Sequence, residues 1–210
     1  MPYSATKQKA MAELRFKPAG HRYTASGLVV PSVTQVVDTQ INAFYFVPES
    51  VRQDALQRGT LVHKLTEIHD KAPDRYEGMA YEVEKSGLLG YVLAWEKFKR
   101  ERMDAILETE QLVYHTKYRY AGTLDRVMLI DGLVTVVEIK TGGIYPEYAW
   151  QTAAYLAAYN EGQTGVKAEK RLVVTLQPDG KYAPTEHKEK ADFEAFLAAI
   201  TMMNWRARYK

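Results

Sequence analysis

The feature that most constrains the fold is an Asp131-Gly132 pair between two apolar stretches. Asp-Gly flanked by alternating apolar residues is a strong signal for a two-residue β-hairpin turn, because Asp and Gly tolerate the positive φ angles that this turn requires. If Ile130 and Leu133 close the turn, antiparallel pairing continues outward until residue 125 faces residue 138. The sequence therefore predicts a long hairpin that spans residues 120–140.

Both faces of this hairpin are apolar. One face carries Val127, Leu129, Val134 and Val136, and the other carries Leu124, Met128, Ile130, Val137 and Ile139. Strands that are covered on both faces belong to a sheet sandwiched between helices. The sequence therefore predicts an α/β fold in which helices flank a mixed central β-sheet.

Periodicity and capping signals predict the remaining elements. We expect a short hairpin at residues 21–30 with a Ser26-Gly27 turn, strands at 106–114 and 171–177, and a loop at 71–78. We expect helices at 31–38, 48–69, 81–103, 146–160 and 192–206. No linker divides the chain, so we expect a single domain over residues 1–210, with an N-terminal hairpin and helices in 1–104 and a sheet with helices in 105–210.

Two carboxylates, Asp125 and Glu138, are directly opposed in the predicted register. Like charges that face each other across a sheet are destabilising, so a positive group must lie between them. Side chains alternate along a strand, which returns Lys140 to the face of Glu138. A divalent cation is the natural additional occupant, and carboxylate oxygens are ligands suited to Mg²⁺ or Mn²⁺.

The combination of Asp125 with Glu138-Ile139-Lys140 on a hairpin resembles the catalytic core of the PD-(D/E)XK nuclease superfamily. The resemblance implies a restriction-endonuclease-like core. It also implies that the main-chain carbonyl of Ile139 is a metal ligand, and that Lys140 orients or polarises the attacking water. The alternative is a surface hairpin with an incidental Glu-x-Lys sequence.

The flanking segments resemble the RecB-like exonuclease branch of that superfamily. Arg58-Gly59 followed by His63 is similar to the helix of that branch that bears a histidine, and Gln151 with Tyr155 is similar to its Q-x-x-x-Y helix. Residues 21–34 are also similar to phage and mitochondrial-type members, so the likeness covers most of the chain.

The resemblance implies three overlapping sets of site residues. The implied metal ligands are His63, Asp125, Glu138 and Ile139. The implied catalytic residues are Asp125, Glu138, Lys140, Gln151 and Tyr155. The implied nucleic-acid contacts are Arg58, Gln151 and Tyr155, although the last two also fit a role in the surroundings of the lysine.

Several candidate residues also have a simpler, structural interpretation. His63 could be an ordinary packed histidine, and Tyr155 could belong to a core stripe with Tyr148 and Tyr159. Glu67, one helical turn after His63, is either a partner of the site or a solvated glutamate. Glu110 resembles an upstream glutamate of some relatives or is a charge at a strand edge. The aromatic residues 44–46 could stack on unpaired bases or fill the core.

Composition excludes several classes of protein. With no cysteine, the chain cannot form disulfides, thiolate metal sites or a cysteine-ligated Fe–S cluster. No apolar run approaches the roughly 18 residues that a membrane span needs, and the first residues lack the apolar stretch of a secretory signal, so we expect a cytoplasmic protein without membrane contact. No G-x-x-x-x-G-K-[ST] string is present, so any motor activity would come from a partner protein.

From these features we expect a Mg²⁺- or Mn²⁺-dependent DNA exonuclease that is sequence-nonspecific and acts on single strands or free ends. Its setting would be phage or bacterial recombination, repair or replication, with a recombination or helicase protein as a possible partner. A structure- or site-specific endonuclease on the same core and a catalytically inactive nucleic-acid-binding module are the alternatives. The formal net charge of +2 is only permissive evidence for DNA binding. Glycoside hydrolysis is disfavoured, because its carboxylates flank a sugar and do not lie beside a lysine on adjacent strands.

Overall fold

A computed structural model describes residues 13–39, 47–162 and 165–209. The strands among these residues form two β-sheets. The smaller sheet is antiparallel and contains β1 (Arg15–Lys17), β2 (Arg22–Ala25) and β3 (Leu28–Val30). The larger sheet has the order β4 (Ala105–His115), β5 (Tyr120–Ile130), β6 (Leu133–Lys140), β7 (Lys170–Leu176) and β8 (Tyr182–Glu186). Adjacent strands of the larger sheet are antiparallel, except that β6 and β7 are parallel to each other, so the sheet is mixed as predicted.

Helices cover both faces of the larger sheet. In chain order they are α1 (Val33–Asp38), α2 (Glu49–Lys71), α3 (Pro73–Glu77), α4 (Ala80–Lys85), α5 (Leu89–Arg102), α6 (Glu147–Gly162) and α7 (Ala191–Ala207). Residues of α2 and α5 share one apolar core with one face of the sheet, and residues of α1, α6 and α7 share a second core with the other face. The predicted sandwich of a mixed sheet between helices is therefore confirmed.

The hairpin of β5 and β6 has the predicted turn and register. Asp131 and Gly132 both have positive φ angles, 51° and 73°, as a type I′ turn requires. Ile130 pairs with Leu133, and the regular pairing continues to Arg126 opposite Val137. Asp125 and Glu138 are the next residue of each strand, beyond the last regular pair, so the predicted pairing of residue 125 with residue 138 is not part of the ladder.

Strict alternation of the side chains fails at this point, which corrects one prediction. Leu124 does not share a face with Met128 and Ile130 but packs in the opposite core with Val127 and Val136. The pairing of β5 with β4 is also interrupted here, because the regular partners include Thr109–Arg126 and Gln111–Leu124 but not residues 110 and 125. A local irregularity of this kind shifts the faces of the residues that follow it.

The segment before the sheet differs from the prediction in two ways. Residues 81–103 form two helices, α4 and α5, because Gly87 takes a positive φ of 74° that ends a helical run. Residues 71–78 contain the short helix α3, which Pro73 begins at the position where proline is favoured. The short strands β1 and β8 were not predicted, and the aromatic residues 44–46 lie outside the described residues. None of the described helices is long and apolar enough to cross a membrane.

Candidate active site

The site lies at the open end of the β5–β6 hairpin, where α2 and α6 approach the sheet from opposite faces. From α2, His63 places Nδ1 3.0 Å from Oδ1 of Asp125. From α6, Gln151 donates from Nε2 to Oε1 of Glu138 at 2.8 Å. Asp125 and Glu138 are only 5% and 3% exposed, so both carboxylates are held in a largely buried setting.

The Asp125 carboxylate replaces part of the sheet's hydrogen bonding. Beyond the pair Arg126–Val137, the next hydrogen-bonded pair of a regular ladder would join residues 124 and 139. Instead, the backbone N–H of Ile139 donates to Oδ2 of Asp125 at 2.7 Å. The N–H and C=O of one strand residue point to the same side, so the Ile139 carbonyl also faces β5, where the regular pairing has ended. This orientation is compatible with the predicted role of that carbonyl as a metal ligand.

Glu138 has one oxygen that is engaged and one that is not. Lys140 donates from Nζ to Oε1 at 2.8 Å, and the Lys140 ammonium also lies 4.8 Å from the centre of the Tyr148 ring. Oε2 of Glu138 is buried and has no hydrogen-bond partner among the described residues. A buried carboxylate oxygen without a donor is costly, which points to a positive ligand at that position.

Glu110 joins the site from β4. One ligand atom each of His63, Glu110 and Asp125 lies within 4.8 Å of the others, a spacing that could hold a metal ion. Glu110 has φ 53°, a left-handed conformation that is rare for a non-glycine residue in a strand. Of the two interpretations that the sequence allows for Glu110, the structure favours a site residue over an incidental charge at a strand edge.

The ionisable groups of the site shift one another's pKa values. Burial, reinforced by the negative charge of Asp125, raises the pKa of Glu138 and that of Glu110 to about 7 each. Burial also opposes ionisation of Asp125, but the His63 imidazole and Lys140 hold the Asp125 pKa below its usual range. Burial disfavours the Lys140 cation, yet Glu138 and Asp125 raise the Lys140 pKa, so the lysine stays charged at neutral pH.

These residues fit a hard divalent cation. The donor set is one imidazole nitrogen with carboxylate oxygens, which suits Mn²⁺ and Mg²⁺, and the imidazole favours Mn²⁺ relative to an all-oxygen site. Burial is the larger cause of the raised pKa values of Glu110 and Glu138 and the Asp125 charge adds to it, so a bound cation would favour the ionised form of both carboxyls. The unpartnered Oε2 of Glu138 supports the same conclusion.

Gln151 and Tyr155 are both directed inward. They are 6% and 3% exposed, and Tyr155 packs so closely on Gly122 that a Cβ added to Gly122 would lie 2.6 Å from Cε1 of the tyrosine. This burial leaves little of either side chain for contact with DNA. The hydrogen bond of Gln151 to the same Glu138 oxygen that Lys140 binds supports the alternative role in the surroundings of the lysine.

Two other residues named from the sequence, Arg58 and Glu67, form no hydrogen bond or ion pair with Asp125 or Glu138 among the described residues. Arg58 borders a surface depression of about 340 Å³ with Tyr91 and Pro178, and its buried Nε has no partner among the described residues. Its contact with DNA stays a prediction. Glu67 forms ion pairs with Lys64 and Lys71 at 2.7 and 3.2 Å, and its charge also raises the pKa of Glu110, so both interpretations of Glu67 stay open.

One residue beside the site, Arg126, was not predicted from the sequence. Arg126 is fully buried next to Asp125 and contacts both Glu110 and Asp70. A signal was available, because an arginine within an apolar strand must find a buried partner.

Comparisons with known proteins place the chain in a family. The sequence profile of the PD-(D/E)XK nuclease superfamily matches residues 40–207. No match was found among curated proteins. Similar solved structures include a candidate exonuclease from Eubacterium rectale, with 13% sequence identity and a TM-score of 0.49 over 71% of this chain. The chain covers 65% of the length of that protein.

Two further similar solved structures have lower TM-scores. An alkaline exonuclease from Laribacter hongkongensis, LHK-Exo, is 18% identical with a TM-score of 0.34, covering 70% of this chain and 91% of that one. The protein SSO0001 is 19% identical with a TM-score of 0.36, covering 84% and 89%. The profile match spans most of the sequence and includes the residues of the site, so the chain belongs to the PD-(D/E)XK nuclease superfamily.

Proposed function

We propose that the protein is a divalent-metal-dependent DNA exonuclease of the RecB-like type. The observation that carries the proposal is the convergence of His63, Glu110 and Asp125 beside a Glu138 that is hydrogen-bonded to Lys140. The RecB-like assignment is supported by the helix-borne His63 and by Gln151, since both side chains reach the carboxylates from the elements that the resemblance implies.

Each residue has a distinct role in the proposed phosphodiester hydrolysis. His63, Glu110, Asp125 and Glu138, with the Ile139 carbonyl, would hold Mg²⁺ or Mn²⁺. The bound cation would supply charge neutralisation on the phosphate and a more acidic water. Lys140 would orient the water or a phosphate oxygen as a hydrogen-bond donor, a role that fits the raised pKa that Glu138 and Asp125 give it.

Gln151 keeps this donor in place. Its amide and the Lys140 ammonium both bind Oε1 of Glu138, which fixes the carboxylate and leaves Oε2 free for the cation. Tyr155 packs behind them against Gly122 and sets the distance between α6 and the sheet.

We further propose that cleavage is sequence-nonspecific, starts from a free end and prefers unpaired DNA. Phosphate contacts give affinity without sequence information, and the chain has no recognised base-reading motif. The setting would be recombination, repair or replication in a phage or a bacterium, in the cytoplasm, with a recombination or helicase protein as a possible partner.

A single set of digests tests this function. End-labelled linear and covalently closed circular DNA, each single- and double-stranded, are incubated with Mg²⁺, Mn²⁺ or EDTA. We expect linear single strands to be degraded with either metal and closed circles to survive. Rapid cutting of closed circles, or discrete bands at one sequence, would favour the endonuclease alternative.

Variants separate catalysis from binding in the same assay. We expect Asp125→Ala and Lys140→Ala to lose turnover in either metal while still binding DNA. Wild-type rates in EDTA, or in either variant, would exclude the proposed nuclease activity. A wild-type protein that binds DNA but neither binds metal nor cleaves would be an inactive binding module.

A further inference from the structure

Arg126 lies fully buried between the candidate metal site and a second buried carboxylate, Asp70. Its Nε donates to Oδ2 of Asp70 at 2.8 Å, and its Nη1 donates to Oε1 of Glu110 at 3.1 Å. The same Nη1 donates to the main-chain carbonyl of Asp125 at 2.7 Å. One guanidinium therefore joins Glu110 and Asp125, on neighbouring strands, to a carboxylate of α2.

The far end of this arginine is firmly anchored. Asp70 accepts hydrogen bonds from Nε1 of Trp95 at 3.1 Å and from the Lys99 ammonium, both on α5. The Arg126 guanidinium also lies 5.5 Å from the centre of the Trp95 ring. A planar guanidinium with several simultaneous partners has little freedom to move, so its position is fixed by α2 and α5.

Glu110 needs such support because its backbone is strained. Its φ of 53° lies in a region that is unfavourable for a non-glycine residue, and such a conformation persists only where the surroundings impose it. Glu110 also lies at a gap in the regular pairing of β4 with β5. Thr109 pairs with Arg126 and Gln111 pairs with Leu124, but residues 110 and 125 between them are not paired. The Arg126 bonds to Glu110 and to the Asp125 carbonyl bridge the two strands at this interruption.

We propose that Arg126, anchored by Asp70, is a positioning residue that holds Glu110 within reach of the ligand atoms of His63 and Asp125. The inference rests on the proposed function, since it concerns the same metal site. Overall stability is a weaker explanation for Arg126, because a buried ion pair contributes little net stability compared with apolar residues of similar volume. Arg126 has no ligand atom to offer the cation, so on this proposal its effect on metal binding passes through Glu110.

The test is Mn²⁺ binding without DNA, measured by calorimetric titration of the folded protein. The variants are Arg126→Lys, Glu110→Gln and the double variant, with Lys99→Met as the matched control. Lys99 binds the same Asp70 carboxylate but does not contact Glu110. Lysine keeps the buried charge but cannot bridge Asp70, Glu110 and the Asp125 carbonyl at once.

We expect Arg126→Lys to weaken Mn²⁺ binding by about tenfold or more, the size of effect seen when a group that orients a metal ligand is removed. The double variant should bind no more weakly than Glu110→Gln alone, because the two residues act through one ligand. Because the Trp95 indole still binds Asp70 in Lys99→Met, this variant should lose thermal stability but keep its Mn²⁺ affinity within about twofold of wild type. A general loss of structure would not produce this pattern.

Three results would overturn the inference: unchanged Mn²⁺ binding in Arg126→Lys, effects of the two variants that multiply in the double variant, or an equal loss of affinity in Lys99→Met. If Arg126→Lys does not fold, Asp70→Asn tests the same anchor from its far end, and its effect should likewise vanish in the Glu110→Gln background. A wild-type protein that binds no Mn²⁺ would overturn the inference together with the proposed function. If the wild type binds Mn²⁺ and cleaves DNA, and Arg126→Lys binds Mn²⁺ as tightly as the wild type, the inference is overturned and the proposed function stands.

Discussion

At the scale of single residues, Glu138 is a candidate metal ligand whose burial lowers the stability of the metal-free fold. Its pKa is raised to about 7 by burial and by Asp125, and one of its oxygens has no partner among the described residues. A carboxyl group whose folded-state pKa is above its unfolded value destabilises the fold as pH rises above the unfolded value, because ionisation is easier in the unfolded chain. The metal-free fold therefore tolerates Glu138 at a cost that a cation would offset.

The Glu138→Gln variant should separate these two effects. Glutamine keeps the shape and can still accept from Lys140, but it removes the buried charge. We expect loss of turnover, and in EDTA at pH 8 we expect a melting temperature equal to or above that of wild type. Thermal melts with nuclease assays on the same preparations check both; a clearly lower melting temperature would mean that the Glu138 charge is stabilising.

The His63→Ala variant should reveal whether the imidazole is a ligand. Removing one ligand weakens binding of the cation without removing the carboxylates that hold it. We expect the Mn²⁺ concentration for half-maximal cleavage to rise by about tenfold, which corresponds to roughly 1.4 kcal/mol, with a smaller loss at saturating metal. An unchanged metal titration would show that His63 is a packing residue that merely contacts Asp125.

At the scale of elements, the distance between α6 and β5 depends on the contact of Gly122 with Tyr155. A Cβ on Gly122 would lie 2.6 Å from the tyrosine ring and 3.4 Å from a methyl group of Val33, so any larger residue must push α6 or α1 outward. Gln151 lies one helical turn before Tyr155 on α6, and its bond to Glu138 would lengthen with the same displacement.

We therefore expect Gly122→Ala to lower both stability and turnover. Overpacking of a core contact costs about 1–3 kcal/mol, and a displaced Gln151 would loosen Glu138 and Lys140. Gly90→Ala is the matched control, since its added Cβ would meet the Pro178 carbonyl oxygen at 1.8 Å without contacting the site residues. Turnover measured well below both melting temperatures should fall in Gly122→Ala and hold in Gly90→Ala; equal effects on turnover would remove the special role of the Gly122 contact.

At the scale of the whole molecule, the parts predictable from sequence were those fixed by local patterns. The Asp131-Gly132 turn set the register of the hairpin, and that register placed Asp125 and Glu138 at the same end of the sheet. The shift of faces at Leu124 was not predictable, because it depends on bonds from Arg126 and Ile139 to Asp125 that replace regular pairing. Short elements such as β8 were missed because a few residues carry too little periodicity to identify them.

The network around Asp70 is the tertiary feature that sequence could not provide, since it joins α2, α5 and β5 through residues far apart in the chain. Burial disfavours the Asp70 anion, but hydrogen bonds and charges from His69, Arg126 and Lys99 outweigh this and hold the Asp70 pKa well below its usual range. An acid with a lowered folded-state pKa stabilises the fold above its unfolded pKa of about 3.9, and that contribution is lost as pH falls toward the folded value.

The Asp70→Asn variant should therefore be less stable than wild type at pH 7 and less sensitive to acid. Asparagine leaves Arg126 and Lys99 without their buried counter-charge, which typically costs about 3–5 kcal/mol. Because asparagine does not titrate, the difference between the variants should shrink as the pH falls below about 5. Urea unfolding of the metal-free proteins from pH 7 to pH 3 measures this difference, with Asp179→Asn, which breaks an exposed pair with Lys181, as the control expected to follow wild type. Wild-type and Asp70→Asn curves that stay parallel across this range would show that Asp70 titrates alike in the folded and unfolded chain, and that the network does not hold the carboxylate in its charged form.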